Sequence, residues 1–380
     1  MTPLPITQIT LQPGFVDLGM GNPDLDLLPL ALIRQSAQAY FAGGDRRPLQ
    51  YGKEQGDGYF RRALAQFLTA AYGSPVDREH LFVTNGASSA LALLCSLYTQ
   101  PGDVVFVEEP TYFLALRIFA DYRLDVVPVR MDDDGLCLDA LDRLLETYQP
   151  KFVYTIPTFQ NPTGQTLIQT RREGLVERAQ RHDFLIIADE VYHFLPYTRE
   201  TPEPFALIAP QVEQVVSVNS FSKILAPGLR LGWIQAHDAI IAHLAGCGLL
   251  DSGGGMTPFV SALLRTLIES DGLSAHIARL RDEYAHRLDA MDAALQHYLS
   301  QAEYVRPQGG FFFWVRFPGV DGESLRQKGR DFDVGLRQGA LFSSQGELED
   351  TVRLSFSYYA PDQIEEGIKR LSRCLETMRS

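Results

Sequence analysis

Cysteine is scarce in this chain. Cys95, Cys137, Cys247 and Cys374 are spread through 380 residues. They are too few and too scattered for a disulfide framework. No two of them make a Cys-x-x-Cys pair, so no zinc or other metal site is expected. Long hydrophobic runs are also missing. None approaches the roughly 20 apolar residues that cross a bilayer, which excludes a helical membrane span. Positive charge is in deficit, with 34 basic against 47 acidic residues and a formal net charge of −13. That argues against nucleic acid as a partner and leaves room for a local cationic site for a small anion. The opening Met1-Thr2-Pro3-Leu4-Pro5-Ile6-Thr7 lacks the basic and apolar regions of a secretory leader, so a cytoplasmic location is expected. Lysine is rare too. Lys53, Lys151, Lys223, Lys328 and Lys369 are the whole set, beside 29 arginines. What remains is an ordinary globular composition, 45% hydrophobic and 21% charged. The length suffices for one large domain and a smaller one.

Between about residue 80 and residue 240, β-rich runs alternate with helical patterns. Leu81–Thr84 precedes a helix over Ala87–Tyr98. Val104–Val107 precedes one over Tyr112–Tyr122. Phe152–Ile156 precedes a basic helix over Arg171–His182. Phe184–Ala188, Val215–Val218 and Leu231–Gln235 follow. Near-continuous apolar strands with helices between them indicate an α/β protein with a mainly parallel sheet covered on both faces. Ligands of such sheets sit at the C-terminal ends of the strands. Residues 276–299 read as a long amphipathic helix, 311–315 and 352–356 as strands, and the C-terminus as a helix, which together make a smaller α+β unit. The expected division is an N-terminal arm with part of the small domain at 1–45, a large domain at 46–275 and a small C-terminal domain at 276–380.

One of the five lysines stands at a strand end. Ser220-Phe221-Ser222-Lys223 directly follows the apolar run 215–218, and Arg230 comes seven residues later. A lysine there is costly unless it is neutral, paired or covalently used. A Schiff base with an aldehyde cofactor meets that demand, with Ser220, Ser222 and Arg230 holding the cofactor's phosphate. Thr84-Asn85-Gly86-Ala87-Ser88-Ser89 joins a strand to a helix, and reads either as a plain helix start or as a phosphate site built from free N–H groups. Asp189 ends another apolar run, where an unpaired carboxylate is expensive. A structural salt bridge and a protonated pyridine nitrogen are both fitting partners. Tyr192, three residues on, is in reach of a ring oxygen. Asn161 lies in the turn Gln160-Asn161-Pro162-Thr163-Gly164. Tyr112 ends a strand and is either a core aromatic or a surface for ring stacking. Arg353 sits within an apolar strand and reads as a surface ion pair or as a bidentate carboxylate clamp. Tyr40, Phe113, Phe159, Phe194, Tyr197 and Phe342 are candidates for an apolar side-chain pocket.

In combination and in this order, these segments resemble the pyridoxal-phosphate aminotransferases of fold type I, class I/II. The stretches are Gly21–Asp24, Tyr51–Gly56 with Arg61, Thr84–Ser88, Pro110–Tyr112, Asn161–Gly164, Asp189–Tyr192, Ser220–Lys223, Arg230 and Arg353. The resemblance runs from about Gly21 to the C-terminus. Tyr154–Gly164 and Ser220–Gly232 look most like the 2-aminoadipate aminotransferase and MocR-related branch. It implies a fold type I large domain with a mainly parallel sheet, a pyridoxal 5'-phosphate cofactor and a homodimer with shared active sites. It further implies amino-group transfer between an L-amino acid and a 2-oxo acid. Lys223 then carries the aldimine and shuttles the proton, Asp189 pairs with the pyridine N–H, and Tyr112 stacks on the ring. Asn161 and Tyr192 bond the phenolic oxygen. Ala87, Ser88, Ser220, Ser222 and Arg230 take the phosphate, with Tyr51 reaching the neighbouring subunit's phosphate. Arg353, with Gly21 and Asn161, takes the substrate α-carboxylate.

Two features depart from the branch. No arginine precedes Arg34, whereas the 2-aminoadipate enzymes are expected to carry a distal-carboxylate arginine in the N-terminal arm. Ala87-Ser88 stands where the family has Ser-Gln. β-Elimination, decarboxylation, cyclisation and racemisation share Lys223 and Asp189 and are the alternative chemistries. A non-catalytic effector-binding domain of the MocR type is a third reading. Against it stand the acidic charge and the roughly twenty residues before Gly21.

Overall fold

A computed structural model describes residues 7–8, 12–198, 202–208 and 211–379. The strands in chain order begin with β1 (Val16–Asp17), β2 (Leu81–Thr84), β3 (Val104–Glu109), β4 (Asp125–Asp132) and β5 (Gly135–Leu136). They continue with β6 (Phe152–Thr155), β7 (Leu185–Asp189), β8 (Val215–Ser220) and β9 (Gly232–Ala236), then β10 (Phe312–Arg316), β11 (Val334–Gly335), β12 (Arg337–Gln338) and β13 (Thr351–Ser355).

Eight of these strands form one sheet in the order β2-β9-β8-β7-β6-β3-β4-β5. The ladders β3–β4, β3–β6, β6–β7 and β7–β8 are parallel, while β9 runs antiparallel to both β2 and β8. The strands are apolar without alternation because both faces are covered. Every residue of β2, β6, β8 and β9 is buried. The sequence expectation of an α/β fold with a mostly parallel sheet is met. The helix expected over 276–299 extends over Gly272–Tyr298, one residue short at its end and four longer at its start.

A second, three-stranded antiparallel sheet has the order β10-β13-β12 and shares one hydrophobic core with the helices Gly272–Tyr298 and Pro361–Arg379, which pack on each other. The N-terminal segment joins this part of the molecule. β1 pairs in parallel with β11, Val16 opposite Val334 and Asp17 opposite Gly335. That short ladder carries residues 17–22 across to the C-terminal ends of the large-sheet strands, where side chains from several strands converge.

Candidate active site

Gly86, at φ 90°, turns the chain from β2 into the helix Ala87–Tyr98. Its conformation favours glycine, and space requires it as well: a Cβ there would lie 3.0 Å from Arg230 Nη2. Arg230, itself at φ 47°, donates from Nη2 to the Asn85 carbonyl at 3.0 Å. The Ser220 hydroxyl donates to Ser222 Oγ at 2.9 Å and accepts from the Ser222 N–H at 3.1 Å. The first N–H groups of the helix, at Ala87 and Ser88, have no partner within the helix. Two hydroxyls, a guanidinium and a helix N-terminus therefore form one anion cup at the ends of β2 and β8.

Asp189 closes β7. Its Oδ2 accepts from the Tyr154 hydroxyl at 2.8 Å, and its Oδ1 is buried with no hydrogen-bond partner. Burial pushes this carboxyl up to about 6, against smaller opposing effects from Tyr154, the Val191 N–H and Lys223. A carboxylate oxygen without a donor is an expensive arrangement for the protein alone. It suits a ligand that brings a donor, as a protonated ring nitrogen does.

Lys223 lies one turn beyond β8. Its Nζ donates to the Gly21 carbonyl at 2.9 Å, and lies 5.9 Å from the Tyr192 ring centroid and 5.4 Å from that of Phe311. Burial, aided by the Arg353 charge and opposed by Asp189, pulls the amine down to about 8. An amine so placed is partly neutral near pH 8 and can act as a nucleophile or base.

Arg353, in the middle of β13, is buried. Its Nη1 donates to Asn161 Oδ1 at 2.9 Å and its Nη2 to the Gly19 carbonyl at 2.8 Å, while its Nε has no partner. Phe312 and Phe342 flank the guanidinium, with centroids at 4.0 and 4.9 Å. The guanidinium is thus fixed in place and still holds an unsatisfied donor.

Lys223, Asp189, Tyr112, Asn161, Tyr192, Ala87, Ser88, Ser220, Ser222, Arg230, Gly21 and Arg353 all line one cavity of about 540 Å³. Tyr51 does not. It is 82% exposed and lines a separate cavity of about 700 Å³ with Arg61, Tyr40 and Lys53. Although larger, that second cavity lacks the chemistry: its lysine is exposed and ion-paired with Glu54 at 2.6 Å. Of the aromatics suggested for a side-chain pocket, Phe113 lines the 540 Å³ cavity and meets Phe342 edge-on at 5.2 Å. Phe159 and Phe194 are buried core instead, and Tyr197 packs partly buried against that core. Gly254 and Gly255 pack against the backbone of Gly52 and Lys53, where a Cβ on Gly255 would fall 1.8 Å from the Lys53 carbonyl oxygen.

Sequence reasoning missed three contributors. Tyr154 is one, hidden inside an apolar strand. Arg337, on the wall of the same cavity, is another. The third is Glu108, fully buried near the end of β3, which accepts from the Thr155 hydroxyl, from the Ile156 N–H at 3.0 Å and from Gln160 Nε2 at 3.1 Å. Gln160 Oε1 in turn accepts from the Thr163 N–H at 2.9 Å, so Glu108 anchors the loop that presents Asn161. A signal for Glu108 existed, since an acid within an apolar strand was the reason for noticing Asp189. Among the described residues, no cluster of three or more His, Cys, Asp or Glu could hold a metal ion, and no helix is long and apolar enough to cross a membrane.

Residues 13–371 match the family model for aminotransferases of class I and II. Aromatic-amino-acid aminotransferase 1 of Thermococcus litoralis is 32% identical over 95% of this chain and 88% of its own length. The crystal structure of a multiple substrate aminotransferase from Thermococcus profundus superimposes with a TM-score of 0.90 at 31% identity, covering 97% of this chain and 93% of that one. The α-aminoadipate aminotransferase LysN of Thermus thermophilus, complexed with N-(5'-phosphopyridoxyl)-L-leucine, gives a TM-score of 0.88 at 27% identity, covering 97% and 93%. The donor set built above fits the same cofactor, with an anion cup, an orphaned carboxylate oxygen and a lysine around one space. The chain belongs to the class I and II aminotransferases, enzymes that move an amino group between an amino acid and an oxo acid with pyridoxal phosphate.

Proposed function

We propose that this cavity is the transamination site and that its residues act as follows. Pyridoxal phosphate supplies an electrophilic aldehyde carbon and an electron sink for the pair released from the substrate Cα–H bond. Ser220, Ser222, Arg230 and the N–H groups of Ala87 and Ser88 hold its phosphate. Asp189 Oδ1 would accept from a pyridine N–H and favour the protonated ring. Tyr112 covers the ring face, and Asn161 and Tyr192 take its phenolic oxygen. Arg353 binds the substrate α-carboxylate, with the Gly21 backbone and Asn161 beside it. Lys223 Nζ would hold the cofactor covalently and, as a free amine, would take the proton from Cα. The carrying observation is that Asp189 Oδ1, buried and without a donor, shares one cavity with Lys223.

The direct test is a single-turnover screen of L-amino acids against the cofactor-loaded protein, read by absorption. Conversion of the cofactor to its amine form by at least one amino acid, with release of the matching 2-oxo acid, is expected. Products of decarboxylation or elimination without that conversion would refute the assignment.

We further infer a homodimer in which Tyr51 serves the partner's phosphate. Leu25, Leu30, Phe41, Leu49 and Tyr51 are large apolar side chains left exposed on the single chain, which supports a covered face. Tyr51→Phe is expected to weaken cofactor affinity roughly tenfold, the size of one hydrogen bond to a charged group. An unchanged affinity, or a monomer by light scattering, would count against it. A cytoplasmic location belongs to the same proposal, supported by four unpaired cysteines.

A further inference from the structure

Arg337 has no place in the roles given above, yet it lines the same cavity. It stands directly opposite Arg353 in the antiparallel ladder of β12 with β13. Directly opposed residues of such a ladder project to the same face, and like charges there repel. The two guanidinium groups flank one residue, Gly19. Arg353 Nη2 donates to the Gly19 carbonyl at 2.8 Å, and a Cβ on Gly19 would fall 2.6 Å from Arg337 Nη1.

Asp17 relieves the repulsion only in part. Arg337 Nη1 and Nη2 reach Asp17 Oδ1 and Oδ2 at 3.3 Å each, long for a charge-assisted pair. In the same chain, Arg316 meets Asp350 at 2.7 Å and Arg178 meets Asp142 at 2.6 Å. Asp17 Oδ1 is also committed to the Gly19 N–H at 2.9 Å. The second Nη1 hydrogen goes to the Leu336 carbonyl at 3.2 Å. The end-on edge of the guanidinium is therefore occupied. Its side-on edge, formed by Nε and the remaining Nη2 hydrogen, has no partner among the described residues. The Arg337 side chain is 34% exposed and lines the cavity. A free two-donor fork matches a planar carboxylate.

We propose that Arg337 is a specificity-determining residue that binds the distal carboxylate of a dicarboxylic amino acid or 2-oxo acid whose α-carboxylate is held by Arg353. The proposal rests on the transamination reading of this cavity. Two cations on either side of a single glycine, both on the wall of one cavity, offer two carboxylate sites to one dicarboxylic ligand. Asp17 meets only the end-on edge of Arg337, at long distance, and leaves the fork the substrate uses free. The arginine comes from β12, in the C-terminal part of the chain. A chain with no arginine before position 34 can thus still read a second carboxylate.

The test uses unreactive ligands, so that binding is measured apart from turnover. Cofactor-loaded protein is titrated calorimetrically with glutarate, which has two carboxylates, and with pentanoate, which has one. Arg337→Gln is expected to weaken glutarate roughly tenfold to hundredfold, the size of a charge-assisted hydrogen bond, and to change pentanoate by less than about threefold. Arg353→Gln is expected to weaken both acids. Asp17→Asn keeps an acceptor for the Gly19 N–H while removing the competing charge, so it is expected to tighten glutarate. Equal losses for both acids in Arg337→Gln, or weaker glutarate binding in Asp17→Asn, would show a merely structural ion pair and overturn the proposal. Failure of the transamination reading is a separate result. The half-reaction screen would then convert no amino acid, while diacid binding would still depend on Arg337.

Discussion

Lys223→Ala is expected to lower amino-group transfer on the order of 10⁴-fold or more, the combined effect of losing a nucleophile and a positioned base. Among the described residues, the cavity's tyrosines are no substitute. Burial pushes the Tyr112 hydroxyl up to about 12 and holds the Tyr192 and Tyr154 hydroxyls far above their usual range, so none is a base near neutral pH. The cofactor's near-visible band in the wild type, sensitive to borohydride, should be missing from the variant. A variant that keeps its rate within about tenfold would remove Lys223 from the chemistry. The fold should survive the change. In the cofactor-free protein the amine sits at about 8 in the folded state against 10.5 in the unfolded chain, so the folded state binds fewer protons between those values. Wild-type stability therefore rises as pH climbs from 8 to 10.5. Because Lys223 is partly open to the cavity, the rise is about 1–2 kcal/mol, and Lys223→Ala should flatten it.

Asp189→Asn is expected to separate activity from stability. Breaking a buried ion pair costs about 3–5 kcal/mol, so loss of the carboxylate facing the pyridine nitrogen should slow transfer roughly 10²- to 10⁴-fold. The cofactor-free protein should move the other way. Asp189 titrates at about 6 when folded and 3.8 when unfolded, so the folded state binds more protons between those values. Stability therefore falls as pH rises through that window, and above pH 6 the full penalty applies, about 3 kcal/mol at most. Asparagine removes the charge and still accepts from the Tyr154 hydroxyl. Urea unfolding at pH 7.5 should show the variant more stable by roughly 1–3 kcal/mol, with the gap closing near pH 4. A variant less stable at pH 7.5 would mean that Asp189 Oδ1 is satisfied in the free protein.

Residues that stand at chain positions with a strong local signature were legible in the sequence. Lys223 and Asp189 each follow an apolar run, and Gly86 precedes a helix start, so strand-end chemistry could be read directly. Arg353 was legible as a charge inside an apolar strand. Tyr154 was not, because a tyrosine in a strand is ordinary, and only the β6–β7 pairing reveals that its hydroxyl meets Asp189. Arg337 escaped for a related reason. Its meaning depends on lying opposite Arg353, and the register of two strands joined by an irregular connection has no local signal. The Glu108 anchor needs a pairing at longer range, since its partners come from β6 and the loop after it.

The segment from Gly19 to Gly21 reaches three charged groups through its backbone and its bareness. Gly19 offers its carbonyl to Arg353, Gly21 offers its own to Lys223, and Arg337 occupies the space beside Gly19. A Cβ at Gly21 would also come within 2.9 Å of the Phe312 ring. Mutational tolerance here is therefore set by vacancy. Any side chain, whatever its polarity, would displace a cation or an aromatic wall before it could make a contact of its own.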